Sequence, residues 1–447
     1  MGIMAQEAHR EHWGSRIGFI LAAAGSAVGL GNIWRFPYIT GKYGGAAFVL
    51  VYLAIIFVLG FSVMLAEMAI GRKAQLNAVG SFQKLRGGAW PIVGWMGVLA
   101  GFMILSFYGV IGGWTIKYFI MSFMNLMPEA AAGKAGDVFG AFVTDTPQVI
   151  IYQAIFMLIT IWVVYRGIGE GIEKCCKILM PALFIILLIL IVRSVTLEGA
   201  GKGLEFYLKP DFSKLTGESF AAALGQAFFS LSLGMGCMIT YGSYVDKQTT
   251  LPGSAIQVCI IDTAVAVLAG LAIFPAVFAF GVDAGAGPGL TFVTLPSVFA
   301  KMAGGTIWSA LFFLLLFIAA LTSAISLLEV VAAYVIDKGW PRPKAAIVMG
   351  FLIFALGVPC AMSLAGAPKI AGKDFLDAMD FLSSNVLLPL GGMFIALFVG
   401  WFWTADARKE VTNEGTHPFG IMELWLWICR VVAPLGILYI FITGLKW

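Results

Sequence analysis

From residue 48 to residue 66 the chain runs almost without a polar side chain, close to the roughly 20 apolar residues that cross a hydrocarbon core. Comparable runs at 179–192 and 311–321 repeat the pattern. A helix that is apolar all round has no polar face to turn toward water, and a chain with many such helices needs another solvent. Composition agrees: 60% of the 447 residues are hydrophobic and 12% charged, against about 25% charged in soluble domains. The chain is therefore expected to be an all-α polytopic membrane protein.

Apolar runs set against their polar breaks predict eleven spans, near residues 14–40, 45–71, 90–126, 148–165, 173–196, 220–245, 253–281, 306–336, 343–363, 376–404 and 421–444. They form one transmembrane unit over 1–447, with two candidate halves at 14–196 and 220–404 and an extra helix at 421–444. The polar N-terminus flows directly into a helix pattern, so the first span is expected to stay in the mature protein. Lys and Arg gather in alternate loops (Arg72, Lys73, Lys84, Arg86, Arg166, Lys174, Lys177, Lys338, Arg342, Lys344, Arg408, Lys409), which places the N-terminus in the cytoplasm. An odd number of spans then puts the C-terminus outside, in a multi-pass plasma-membrane protein.

Several chemistries are disfavoured. The histidines His9, His12 and His417 lie outside every apolar run, so no imidazole metal or haem site is expected in the membrane. No phosphate-loop pattern accompanies the Gly-Lys pairs. The cysteines Cys175, Cys176, Cys237, Cys259, Cys360 and Cys429 lack paired spacing and read as packing residues. A net charge of +4, scattered among loops, implies no nucleic-acid partner. A serine hydrolase in the membrane would need a base beside Ser230 or Ser232, and none is present; no enzyme activity is expected.

Two spans are interrupted by glycine. Span 1 carries Gly25, Gly29 and Gly31 within GSAVGLGNIWRFP, and span 6 carries Gly234 and Gly236 within FFSLSLGMG. Gly25-x-x-x-Gly29 also suits a small-residue packing face. The Asn32, Arg35 and Pro37 that follow favour unwound backbone instead. Inside a bilayer such backbone persists only where it lines a cavity or finds partners, and ions and zwitterions are such partners. Matching breaks at the start of each half point to an inverted five-helix repeat with broken helices 1 and 6.

Oxygen-bearing residues sit near the same depth: Asn32, Ser230, Ser232, Asp262, Thr322 and Ser323. Hydroxyls in membrane helices commonly just bond their own backbone. Asp262 is different, since a mid-bilayer carboxylate costs on the order of 3 kcal/mol and requires a cation, a proton or an ion-pair partner. Arg35 and Asp380 have opposite charge and are candidates to pair, whereas Glu67 has no assigned role and Glu329 has no partner evident in the sequence.

The segments GSAVGLGNIWRFP, GQAFFSLSLGMGCMITYGSY and LTSAISLL resemble the neurotransmitter:sodium symporter family from Arg10 to about residue 445, at a length like that of a bacterial member. The resemblance implies two sodium ions and a hydrophobic L-amino acid taken up together by alternating access. A first sodium site would use Ala27, Asn32, Ser230 and Asp262, and a second Gly25, Val28, Ala319, Thr322 and Ser323. The substrate carboxylate would meet the amides of Leu30 and Gly31, beside Gly29, and the Tyr108 hydroxyl. Its ammonium would meet carbonyls at Ala27, Phe229, Ser230 and Ser232, while Ile104, Phe229, Met235 and Leu327 enclose its side chain; Ser323 would border the same space.

The resemblance further implies an outer gate of Arg35 and Asp380, with Phe229 closing over Tyr108, and an inner gate of Arg10 and Asp337 near Trp13. Gly171 and Pro181 match a pattern that lets span 5 unwind, although they also suit an ordinary helix start and kink. Two positions depart from many relatives. Asp262 replaces asparagine and Ala266 replaces the serine of chloride-dependent members, which implies chloride independence, with proton uptake at Asp262 as an option on the return step. Met235 replaces a frequent aromatic, and its flexible thioether suits side chains of several shapes, aliphatic and aromatic. A membrane sensor that binds the amino acid without moving it would share every one of these residues.

Overall fold

The computed structural model describes residues 10–282, 289–367 and 369–445; His9 lies outside the described residues. The described residues are overwhelmingly helical, with one isolated bridge between Ile370 and Lys373. Nine of these helices are long and apolar enough to cross a membrane. They are Ala46–Ala74, Pro91–Ser122, Thr146–Tyr165, Ile168–Val195, Leu251–Ala279, Gly305–Ile336, Arg342–Ala365, Phe375–Phe402 and Met422–Gly444, corresponding to spans 2–5 and 7–11.

Span 1 is a bent pair, Arg16–Ala27 and Gly31–Lys42, whose halves meet at 49°, and counting it raises the total to ten. Span 6 is Gly217–Ser230 followed by Cys237–Gly242. Length and composition do not reach the expected eleven, because the halves of span 6 are short and residues 231–236 between them are not helical. Short helices that the apolar runs did not predict connect the spans, among them Ala78–Leu85, Ala135–Thr144, Ala200–Leu208 and Thr404–Val411.

Local sequence explains the interruptions. At the end of the first half of span 1, Val28 turns extended (φ −73°, ψ 102°), and the chain re-enters helix through a wide π-helical turn at Gly31–Arg35. In span 6, Ser232, Gly234 and Gly236 take φ of 54°, 77° and 76°, the left-handed region that ends a helix. A Cβ on Gly234 would sit 2.3 Å from the Leu388 carbonyl oxygen, so both conformation and close approach require glycine there. Span 6 begins with a capping box in which Thr216 and Ser219 satisfy each other's amides.

Spans 3 and 8 are the most enclosed, and they pack along one another through the centre. Spans 4, 5, 9 and 11 show most of their surface outward. The starts of spans 1 and 5 lie together, because the Glu11 carboxylate accepts the Ile168 amide at 2.7 Å. The end of span 8 joins them, since Asp337 pairs with Arg10.

Candidate functional site

The two breaks face each other. Ser232 donates its hydroxyl to the Ser26 carbonyl at 2.8 Å, and Gln226 donates its side-chain amide to the Gly31 carbonyl at 2.7 Å. The freed backbone of each broken helix is thus partly satisfied by the other, as buried polar groups require. The Leu30 amide donates to the Tyr108 hydroxyl at 3.1 Å, and the Gly29 amide to the Asn32 side chain at 3.0 Å. A Cβ on Gly29 would lie 2.5 Å from the Ser323 hydroxyl and 2.8 Å from that of Tyr108, so only glycine lets these groups reach the backbone.

A small cavity of about 20 Å³ lies between the breaks, room for roughly one water. Its lining contains Ala27, Gly29, Gly31, Ile104, Tyr108, Phe229, Ser230, Ser232, Met235, Ser323 and Leu327, all anticipated as substrate-facing, and adds Ser26. Leu30, also anticipated, lines a second cavity of about 350 Å³. Tyr108 and Phe229 border both spaces and form the partition between them. The larger cavity continues past Trp34, Arg35 and Phe292 to Asp374, Asp377 and Asp380.

Asp262, fully buried on span 7, is the anionic centre. It accepts the Ser230 hydroxyl at 2.9 and 3.0 Å, the Asn32 amide at 2.8 Å and the Tyr52 hydroxyl at 3.4 Å. Ala27 lies on the cavity wall beside Ser230. Ala266, one turn beyond Asp262, is fully buried and offers no hydroxyl. A second set of oxygens joins spans 1 and 8: the Thr322 hydroxyl lies 3.1 Å from the Ala319 carbonyl and 3.5 Å from that of Val28. Ser323 reaches the Gly25 and Val28 carbonyls at 3.4 Å each.

Both sets consist of hard oxygen donors, suited to an alkali or alkaline-earth cation. Among the described residues no group of three or more His, Cys, Asp or Glu gathers as a transition-metal site would require.

The two anticipated gates differ. Arg10 and Asp337 form an ion pair at 2.7 Å, and Arg10 also donates to the Ser243 hydroxyl at 2.5 and 3.2 Å. Asp337 accepts the backbone and side-chain amides of Asn77 at 2.6 and 2.8 Å. Trp13 packs edge-on against Tyr241 and donates its indole N–H to that residue's carbonyl at 3.0 Å. Arg35 instead lies over the Phe229 ring, 5.1 Å from its centroid, and Asp380 accepts the Ser384 hydroxyl at 2.7 Å. Arg35 and Asp380 make no ion pair here, and both line the larger cavity.

Gly171 lies in a wide π-helical turn, Ile168–Glu173, at the base of span 5, and Pro181 falls inside the regular helix that follows. The carboxylate of Glu173, in the same turn, accepts the Gly14 amide at 2.6 Å, the Ser15 hydroxyl at 2.8 Å and the Lys177 ammonium at 2.6 Å.

Some participants left no clear mark in the sequence. Tyr52 stands in the apolar run of span 2, and its single hydroxyl was the available signal. Glu67, flagged without a role, accepts the Gly234 amide at 2.8 Å and so secures the break of span 6. Glu329 does have partners: Arg342 at 2.7 and 3.1 Å and the Tyr244 hydroxyl at 2.6 Å. Arg342 lies thirteen positions away across a helix end, beyond the reach of any local spacing rule.

Comparison with known proteins converges on one family. The profile of the Sodium:neurotransmitter symporter family matches residues 10–136 and 142–446. An uncharacterized sodium-dependent transporter of Bacillus subtilis, YhdH, is 40% identical over 96% of this chain and 97% of its own. One from Haemophilus influenzae is 38% identical over 98% of each. The crystal structure of MhsT in complex with L-phenylalanine is 49% identical with a TM-score of 0.89, covering 97% of this chain and all of that one. The chain is a multi-pass membrane protein that belongs to the Sodium:neurotransmitter symporter family.

Proposed function

We propose that the protein couples two sodium ions to the uptake of a hydrophobic L-amino acid, aliphatic or aromatic. The observation that carries this is the convergence of two broken helices on a small cavity flanked by two sets of hard oxygens, only one of which contains a carboxylate. One sodium ion is assigned to Ala27, Asn32, Ser230 and Asp262, completed by the substrate carboxylate. The other is assigned to Gly25, Val28, Ala319, Thr322 and Ser323. The amino acid sits against the amides of Leu30 and Gly31, with Tyr108 holding its carboxylate. Its side chain enters between Ile104, Phe229, Met235 and Leu327, where no charged group intrudes and where the small cavity widens to admit it. The L-phenylalanine bound to MhsT supports this class of substrate.

The lone carboxylate of Asp262 supports chloride-independent transport, since a fixed negative charge beside the first sodium ion does what a bound anion would do. The whole chain acts as one transport unit, with repeats over 14–196 and 220–404, set in the plasma membrane with its N-terminus cytoplasmic. Two sodium ions with one zwitterion move two charges, about 4.6 kcal/mol per 100 mV, enough for over three decades of accumulation.

The test is uptake of radiolabelled leucine and tryptophan into liposomes with sodium outside, against a potassium control. Sodium-dependent accumulation, unchanged when chloride is replaced by gluconate at fixed membrane potential, is expected. Sodium-dependent binding without accumulation identifies a sensor instead, and no sodium effect on either overturns the assignment. Asp262→Asn is expected to lose uptake in chloride-free medium.

A further inference from the structure

The end of span 5 and the start of span 8 meet at a groove that transport of an amino acid does not use. It lies at the end of the molecule remote from Arg10. Ile168, at the base of span 5, bonds Glu11, and Asp337, at the far end of span 8, bonds Arg10, so Arg193 and Trp308 both fall at the opposite end. The groove has a volume of about 380 Å³ and is lined by Leu188, Ile189, Val192, Arg193, Thr196 and Trp308. The three aliphatic residues are exposed on the outward face of span 5, one of the least enclosed spans.

The Arg193 guanidinium stands 5.8 Å from the Trp308 ring centroid, and the indole N–H of Trp308 is committed to the Ala303 carbonyl at 3.0 Å, which fixes the ring. Arg193 forms no ion pair among the described residues. Arg430 makes the contrast: it lies over Trp401 at 5.9 Å, but its Nε donates to the Gly400 carbonyl at 2.6 Å. Arg193 and Trp308 also border a narrow cleft running inward between spans 5, 7 and 8. The Ser194 hydroxyl lines that cleft, 2% exposed and with no hydrogen-bond partner. A helix C-terminus favours a cation, and a membrane boundary favours tryptophan. Both preferences place the pair at the membrane boundary, and neither supplies an anion for the guanidinium over the groove.

We propose that this groove binds one anionic phospholipid from the leaflet on the Arg35 side. Its phosphate faces Arg193, and an acyl chain lies along Leu188, Ile189 and Val192. Guanidinium is the side-chain cation best matched to phosphate oxygens, and the aliphatic wall of the groove gives a lipid contacts that free phosphate lacks.

Native mass spectrometry of the full-length protein, titrated with phosphatidylglycerol or phosphatidylcholine in detergent, tests the proposal. The expected result is one phosphatidylglycerol retained in preference to phosphatidylcholine, with affinity reduced about fivefold in Arg193→Gln, the loss typical of one surface cation. Arg193→Lys retains part of it, and Arg430→Gln leaves it unchanged. Retention unaffected by Arg193→Gln, an equal fall in Arg430→Gln, equal retention of phosphatidylcholine, or displacement by free glycerol phosphate would each overturn it.

Discussion

The two ends of the transport path use the same kind of pair, one arginine and one aspartate, and differ in what surrounds it. At the Arg10 end each partner has further bonds, Arg10 to Ser243 and Asp337 to both amides of Asn77, and a second pair, Arg342 with Glu329, lies close by through Tyr244. Arg10 also stacks on the Tyr244 ring, 4.7 Å from its centroid. At the Arg35 end both residues line an open cavity without pairing, Arg35 resting on the Phe229 ring and Asp380 accepting the Ser384 hydroxyl. The charges at the Arg10 end are thus tied into a network, whereas those at the Arg35 end are unpaired.

The largest expected effect tests the closed network at its hub. Asp337→Ala leaves the Arg10 guanidinium with only Ser243 and the Tyr244 ring and strands the Asn77 amides, and removing one partner of a mostly buried pair costs about 3–5 kcal/mol. Sodium-driven uptake is expected to fall more than tenfold, while Cys176, fully buried in this state, becomes reactive to a thiol reagent applied from the Arg10 side. Uptake and labelling at the level of the parent protein would mean that the pair does not hold that end shut.

Glu329→Gln removes the charge that faces Arg342 on the fully buried side of the network, leaving Arg342 its Glu11 contact at 2.6 Å. Hydrogen bonds to charged groups are worth about 1.5–3 kcal/mol, so a roughly tenfold rise in Cys176 labelling rate is expected. A smaller shift, about threefold, is expected for Glu173→Gln, which keeps the shape of the side chain but weakens its hold on Lys177. Asp380→Asn, at the open end, should change the apparent substrate affinity less than about fivefold, the range of an exposed ion pair. If Asp380→Asn proved more damaging than Asp337→Ala, the two ends would have to exchange roles.

Spans and breaks were legible because their signals are local. An apolar run declares a span, and a glycine cluster followed by Asn32 and Pro37 declares an interruption. Span 6 shows the limit: its apolar run predicted a crossing near 220–245 and the glycines at 234 and 236 its break, but its two halves are each too short to be counted as a crossing by length. The short connecting helices carry no long apolar run and passed unnoticed. Most of the wall of the small cavity was also anticipated, but through resemblance more than through residue chemistry. What escaped was pairing across distance: Tyr52 against Asp262, Gln226 against Gly31 and Arg342 against Glu329 join elements that no spacing rule links.

The Glu173 carboxylate ties the wide turn at the base of span 5 to the chain just ahead of span 1. A Cβ on Gly18 would fall 2.0 Å from a carboxyl oxygen of Glu173, so the first turn of span 1 is moulded around that side chain. The backbone at Gly14 and Ser15 and the turn that contains Gly171 thus form one packed unit, and neither can shift without giving up the contacts of a single carboxylate.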